Sequence, residues 1–328
     1  MTKSRAPEEI GVVVIGRNEG ERLHRCLQSL ISVTCHLVYV DSGSTDDSVA
    51  WAQSHGVTVV ALDMRFPFTA ARARNAGFRQ LLESAPNISM VQFVDGDCEL
   101  DANWLTTAAI YLRSQQNVVC VCGRLRERFP ERSIYNRLCD IEWDRVAGAT
   151  DACGGIAMMK IEAFEKAGLF NESLIAGEEP ELCIRMRAQG GRIWRLRANM
   201  ALHDADMHRF NQWWRRTMRG GYVVAEGFSL YGTDAATRYA SKLAKIATWS
   251  VVLPLVIVLL SAFEPKCFAL VAVYPLQILR LVRRQRRENH AWLVATFQLL
   301  ANFAEAVGAI KFAVNRIRKF QSYLIEYR

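Results

Sequence analysis

Four apolar, mostly β-branched runs each end on a short polar loop, and a helix-patterned stretch separates each from the next. Ile10 to Ile15 runs into Gly16-Arg17-Asn18-Glu19, after which Leu23, Cys26, Leu27, Leu30 and Ile31 recur at helical spacing. His36 to Val40 runs into Asp41-Ser42-Gly43-Ser44-Thr45-Asp46, where Thr45 or Asp46 suits the N-cap of a helix carrying Val49, Ala50 and Ala52. Val57 to Leu62 is a third strand and Ala70 to Leu82 a third helix; Val91 to Val94 then runs straight into Asp95-Gly96-Asp97. A βαβαβαβ order predicts an α/β fold, a Rossmann-like and mostly parallel sheet with helices on both faces. Right-handed crossovers bring the carboxyl end of each parallel strand to one rim. Arg17, Asp41 and Asp95 are therefore expected to converge, although they are far apart in sequence.

Asp95-Gly96-Asp97 places two carboxylates at the edge where open α/β sheets bind ligands. Both can face one hard cation, and the glycine lets a phosphate or sugar approach the backbone. A solvated turn uses the same residue types. No strand is followed by GxxxxGK[ST], and the glycines after the first strand do not follow GxGxxG, which disfavours a phosphate loop and a dinucleotide fold. The Asp41 to Asp46 loop suits contact with a base and ribose, or a capped turn.

Beyond Val118 the pattern loosens. Val118 to Gly123 reads as a strand and Arg124 to Asp144 as charged and helical in places. Gly154-Gly155 makes a turn into a strand ending near Met159, followed by a helix from Ile161 to Ala167. Gly177-Glu178-Glu179-Pro180-Glu181-Leu182 opens a helix through Arg187. Proline and acids in a first turn suit the helix dipole. Crowded acids also oppose one another's ionisation, which can raise one of them toward the range of a general base.

The C-terminal third changes character. Ile246 to Phe263 is eighteen residues without a charge, and Cys267 to Leu279 continues it. Eighteen helical residues span roughly 27 Å, about a hydrocarbon core. Two spans, 246–263 and 267–282, return Arg280 to Arg287 to the cytosol in accord with the positive-inside rule. A third stretch, 291–320, contains Asn302, Glu305 and Lys311 and reads as a helix along the cytosolic interface; three spans with the basic tail outside is the alternative. A buried helical hairpin in a soluble domain fits the same residues. The expected division is thus a polar tail 1–9, a domain 10–235 and membrane-associated helices 236–328. The tail lacks an apolar core, so no cleavable signal peptide is expected and the α/β domain is placed on the cytoplasmic side of the inner (plasma) membrane.

Composition narrows the class. With 51% hydrophobic and 10% aromatic residues, a packed core is expected. The net charge of +8 gathers in Arg283-Arg284-Gln285-Arg286-Arg287 and Arg316-Ile317-Arg318-Lys319, beside apolar segments, which suits an anionic membrane surface and not nucleic acid. Nine cysteines occur without a CxxC pair; Cys120 and Cys122 read as buried thiols on a strand.

Val12 to Glu19, Val40 to Asp46, Ala73-Arg74-Asn75-Ala76-Gly77, Asp95-Gly96-Asp97 and Gly177-Glu178-Glu179 occur in an order that resembles family 2 glycosyltransferases, inverting enzymes of the GT-A fold, over about residues 10 to 235. The resemblance implies that Asp41 reads the nucleotide base and that Arg17 to Glu19 lies against the nucleoside. It implies a donor site of Arg17, Glu19, Asp41, Arg74, Asn75 and Asp95, with Arg74 beside the leaving diphosphate. Asp95 and Asp97 match the Asp-x-Asp motif for Mg2+ or Mn2+, with His203 as a late ligand and His208 close enough to compete. Glu179 stands where the family has the aspartate of Glu-Asp, the base for the acceptor hydroxyl; it is one methylene longer, and Glu178 is its substitute. Gln212-Trp213-Trp214-Arg215-Arg216 is similar to the Gln-x-x-Arg-Trp of processive members, but Arg216 replaces the closing Trp, which implies single addition. The implied partners are a UDP- or GDP-sugar and, from the membrane segments, a lipid-linked glycan acceptor in envelope or exopolysaccharide synthesis.

Two other functions fit parts of the pattern. A nucleotidyltransferase shares the α/β plan and the metal, but it needs a basic glycine-rich loop where Gly16-Arg17-Asn18-Glu19 stands. A membrane scaffold with a GT-A shell would have no need of acids at Asp41, Asp95, Asp97 and Glu179.

Overall fold

The computed structural model describes residues 9–34, 36–234, 238–285 and 289–318. The N-terminal tail through residue 8, Arg286 and Arg287, and the end of the 291–320 helix with Lys319 lie outside the described residues. Two compact units divide at Asp206 and Met207.

The first unit is built on a nine-stranded sheet ordered β3-β2-β1-β4-β8-β6-β9-β5, with β7 on β9. The strands are β1 (Ile10–Gly16), β2 (His36–Asp41), β3 (Thr58–Ala61), β4 (Met90–Asp95), β5 (Cys98–Leu100), β6 (Val118–Glu127), β7 (Gly148–Ala149), β8 (Ala157–Lys160) and β9 (Arg192–His203). The β3-β2-β1-β4 half is parallel throughout. Of the rest, β6 and β9 run with it and β5, β7 and β8 run against it, so the sheet is mostly parallel. The helices are α1 (Glu21–Ile31), α2 (Ser48–Ser54), α3 (Ala70–Ser84), α4 (Trp104–Ser114), α5 (Ile134–Trp143), α6 (Ile161–Lys166) and α7 (Glu178–Ala188).

The first four strands form where the β-branched runs predicted them, because a parallel strand covered on both faces is apolar at successive positions. Thr69 caps α3 by accepting the Arg72 amide at 3.2 Å. At α2 the cap is Asp47, while Asp46 accepts the Ser48 amide at 3.1 Å. The stretch after Gly123 stays in β6 through Glu127 and becomes helical only at α5. The core fills with Phe78, Phe93, Phe164 and Phe170 in edge-to-face contact, centroids about 5 Å apart. Gln92, fully buried in β4, accepts from the Trp104 indole at 2.8 Å and so satisfies both.

The second unit holds α8 (Phe210–Tyr231) and helices Tyr239–Phe263, Pro265–Arg284 and Ala291–Ile317. Those three are 25, 20 and 27 residues long and apolar enough to cross a membrane. Their apolar side chains, Leu255, Val258, Leu259 and Phe263 among them, are exposed. Helix α8 meets Ala291–Ile317 backbone to backbone: a Cβ on Gly221 or on Gly308 would fall 1.9 Å from the Glu305 or Met218 carbonyl. Gln212 caps α8 by accepting the His208 and Arg209 amides at 2.9 and 3.0 Å, and buried Trp213 packs edge-on against Phe297.

Candidate active site

Register builds the rim. Gly16 lies opposite Asp41 and Ile15 opposite Asp95, so three parallel strands end side by side. Their loops are then tied together. The Ser42 amide donates to Gly16 O at 3.0 Å and the Gly96 amide to Ile15 O at 2.8 Å. Asn18 donates its amide to Ser44 Oγ at 2.9 Å and accepts the Thr45 amide at 2.7 Å, while Asp46 takes the Gly20 amide at 3.0 Å. Asp41 is buried at this junction; its carboxylate accepts the Tyr39 hydroxyl and the Gly43 and Ser44 amides, each at 3.0 Å. Arg17 lies over the Phe68 ring, 4.5 Å from its centroid, and Glu19 pairs with Arg22 at 2.9 Å.

Arg74 joins the Asp95 and Glu178 motifs, 83 residues apart in the sequence. Its guanidinium, 3% exposed, donates to Asp95 Oδ1 at 2.7 Å and to Glu178 Oε1. These two pairs fix the positions of both acids. Gly155 packs into the same corner: a Cβ there would stand 2.7 Å from Asp95 Oδ2 and 2.8 Å from Arg74 Nη2 and would have to displace those side-chain ends. Asn75 is buried. Its amide donates to Phe170 O and Glu172 Oε1, both at 2.9 Å, and its oxygen accepts the Phe170 amide at 3.1 Å. Asn75 thereby anchors the 170–172 segment.

Asp97 and His203 meet because β5 pairs with β9, placing Cys98 opposite His203. His203 Nε2 is 3.3 Å from Asp97 Oδ2, and Trp143 stacks obliquely on the imidazole with centroids 4.4 Å apart. Two cis ligands of an octahedral ion with bonds near 2.1 Å lie about 3.0 Å apart, so this pair fits Mg2+ or Mn2+ with little movement. Asp97 and His203 thus offer such an ion one oxygen and one nitrogen, while Asp95, two residues before Asp97, is held by Arg74. His208 lies in the second unit.

Glu179 points to thiols. Its Oε1 accepts the Cys153 amide and the Cys183 thiol, the latter at 3.1 Å. Burial first, and the electron-rich Cys183 sulfur second, push its carboxyl up to about 8. Glu127, on β6 opposite His203, is pushed up to about 7 by burial although the Phe129 and Ala205 amides donate to it at 3.1 Å.

Cys153, Cys183, Trp143 and Glu127 went unrecognised in the sequence. The thiols had a signal, two cysteines beside the glycine and glutamate motifs; Trp143 and Glu127 had none, being recruited by α5 and β6.

Residues 11–168 match the family model described as glycosyl transferase family 2. An uncharacterized glycosyltransferase of Rickettsia conorii is 42% identical over 53 residues, 16% of this chain and 19% of that protein, so the alignment spans about a fifth of that relative. The solved mannosyltransferase PcManGT of Pyrobaculum calidifontis, in complex with GDP-Man and Mn2+, superposes with a TM-score of 0.59 at 19% identity, covering 93% of this chain and 89% of that one. Glucosyl-3-phosphoglycerate synthase of Mycobacterium tuberculosis, with Mn2+, UDP-glucose and phosphoglyceric acid, has a TM-score of 0.48 at 19% identity over 67% of this chain and 78% of its own, a likeness too loose to build on. The sheet order, the rim, the family-model match and the PcManGT superposition agree: residues 11–168 are a glycosyl transferase family 2 domain, and the unit that holds them has the GT-A fold.

Proposed function

We propose that this chain is an inverting, single-addition glycosyltransferase that moves a sugar from a nucleotide-diphosphate donor to a hydroxyl of a lipid-linked glycan, in envelope or exopolysaccharide synthesis. The observation that carries the reading is the Asp95–Arg74–Glu178 bridge across the rim of a family 2 domain. Arg17, Glu19 and Asp41 take the nucleoside. Asp97 and His203, with Asp95, hold Mg2+ or Mn2+, which when bound neutralises charge on the leaving diphosphate. Arg74 and Asn75 are positioning residues, the first for Asp95 and Glu178, the second for the 170–172 segment.

Glu179 is the base. An acceptor hydroxyl is a poor nucleophile, so the carboxylate takes its proton while the oxygen attacks the anomeric carbon from the face opposite the diphosphate. One carbon–oxygen bond forms as the other breaks, and the centre inverts. The Cys153 amide holds the carboxylate in place. Glu178, already paired with Arg74, is less free to accept a proton. Three helices long and apolar enough to span a membrane favour a lipid-linked acceptor, with two spans and an interfacial helix holding the domain at the cytoplasmic face of the inner membrane.

The test is nucleoside-diphosphate release by the purified full chain from GDP- and UDP-sugars, GDP-mannose first because PcManGT was solved with it. The assay is run with and without Mn2+ and polyprenyl phosphate. Metal-dependent release from one nucleotide class, lost in Asp97→Ala and Glu179→Gln while both variants stay folded, is expected. Absence of release from every donor, with no thermal shift from any nucleotide, would sink the reading.

A further inference from the structure

We propose that Cys153, Cys183 and Glu179 form a second cation site, for a thiophilic divalent ion of the zinc class, and that filling it switches transfer off. Two stretches of chain supply the ligands. Cys153 lies just before the Gly154-Gly155 turn, and Glu179 and Cys183 stand one turn apart on α7, where i and i+4 share a face. The Cys153 and Cys183 sulfurs are 3.6 Å apart, Glu179 Oε1 is 3.1 Å from Cys183 Sγ, and the three ligand atoms all lie within 4.8 Å of one another.

These separations are those of a coordination shell. Zinc–sulfur bonds of about 2.3 Å and a zinc–oxygen bond of about 2.0 Å at tetrahedral angles set S···S near 3.8 Å and S···O near 3.5 Å. The two observed distances differ from those by no more than about 0.4 Å. Buried thiols alone would be ordinary core. Here a carboxylate, 7% exposed and without a lysine or arginine partner among the described residues, occupies the third corner. A cation would supply the missing charge. Two sulfurs select a soft ion, whereas Asp97 and His203 suit a hard one, so the two sites divide their metals by chemistry. The exposed Gly154 next to Cys153 gives a way in. Binding converts thiols to thiolates and releases their protons to solvent, with no change of oxidation state.

The switching consequence rests on Glu179 being the base, since a carboxylate bound to the ion no longer takes the acceptor's proton. The site itself does not depend on that reading. The reduced, chelator-treated full chain is titrated with Co2+, whose tetrahedral thiolate complexes absorb in the near-ultraviolet and visible. One equivalent should develop these bands and Zn2+ should bleach them. The bands should persist in Asp97→Ala and vanish in Cys183→Ser and Cys153→Ser, with folding checked by circular dichroism. Absent bands, or bands lost in Asp97→Ala but kept in Cys183→Ser, would overturn the site. In parallel, one equivalent of Zn2+ over excess Mg2+ should lower sugar transfer by more than about tenfold. Thiolate bands together with undiminished transfer would overturn the switch and leave the site. Absence of transfer under every condition counts against the transferase reading, and the spectrum still decides the site.

Discussion

Replacing Arg74 with leucine tests whether the rim is held by charge. The guanidinium is 3% exposed, and its two partners' side chains are 33% (Asp95) and 12% (Glu178) exposed. Removing one member of a buried ion pair costs about 3–5 kcal/mol, because the partner's charge is left without compensation. Water reaches Asp95 and offsets part of that, so most of the penalty falls on Glu178 and the lower end, about 3 kcal/mol, applies. In a unit of this size about 1 kcal/mol moves the melting temperature by 2–4 °C, so a fall of roughly 6–12 °C is expected at pH 8. The penalty belongs to two uncompensated carboxylates. Tryptophan fluorescence melts of the full chain at pH 8 measure it. The double variant Arg74→Leu/Glu178→Gln should recover more than half of the loss. An equal loss in single and double variants would refute the reasoning. Arg74 would then act as filler against the Phe170 ring, whose centroid is 5.5 Å away.

Three further outcomes are expected. Glu179 acts only when ionised and is raised to about 8, so kcat/KM should climb with pH through about 8 and not through the ordinary carboxylate range; a pH–rate profile flat from 6 to 9 would exclude it as the base. Glu127 holds its proton to about 7 in the fold but loses it near the model-peptide value of 4.5 when unfolded; stability should therefore fall as pH rises through that window, and Glu127→Gln should flatten the slope in denaturant midpoints. Gly155→Ala sets a methyl group 2.7 Å from Asp95 Oδ2, so nucleotide affinity by titration calorimetry should fall by about tenfold or more, and wild-type affinity would show that the corner yields.

The parts of this chain that could be read in advance are those whose chemistry is local. The strands β1 to β4 announce themselves because both faces are covered and every position is apolar. Helix α4 was equally readable, with Trp104, Leu105, Ala108, Ala109 and Leu112 at helical spacing, and was passed over. β9 was not readable. Arg195 is buried there, donating to Gly123 O at 2.8 Å, and with Arg192 and Arg197 it breaks any apolar alternation. β6 misleads for a related reason: Arg124 and Arg126 alternate along it and pair with Asp144 and Asp140 from the stretch that follows, so a strand carries the charge pattern of a solvated helix. The site divides in the same way. Asp41 and Asp95 stand on the rim because strand order and handedness put them there, which periodicity alone predicts. Asp97 meets His203 only through the register of β5 on β9, and Arg74 meets Glu178 across an interval of 104 residues. Local pattern carries no term for such pairings, so the motifs had to come from resemblance, and resemblance transfers roles without partners. That is why resemblance names Arg74 for the donor site without the two acids it holds, and Glu179 without the thiols behind it. A side chain's chemistry in this protein is set by what the sheet brings beside it.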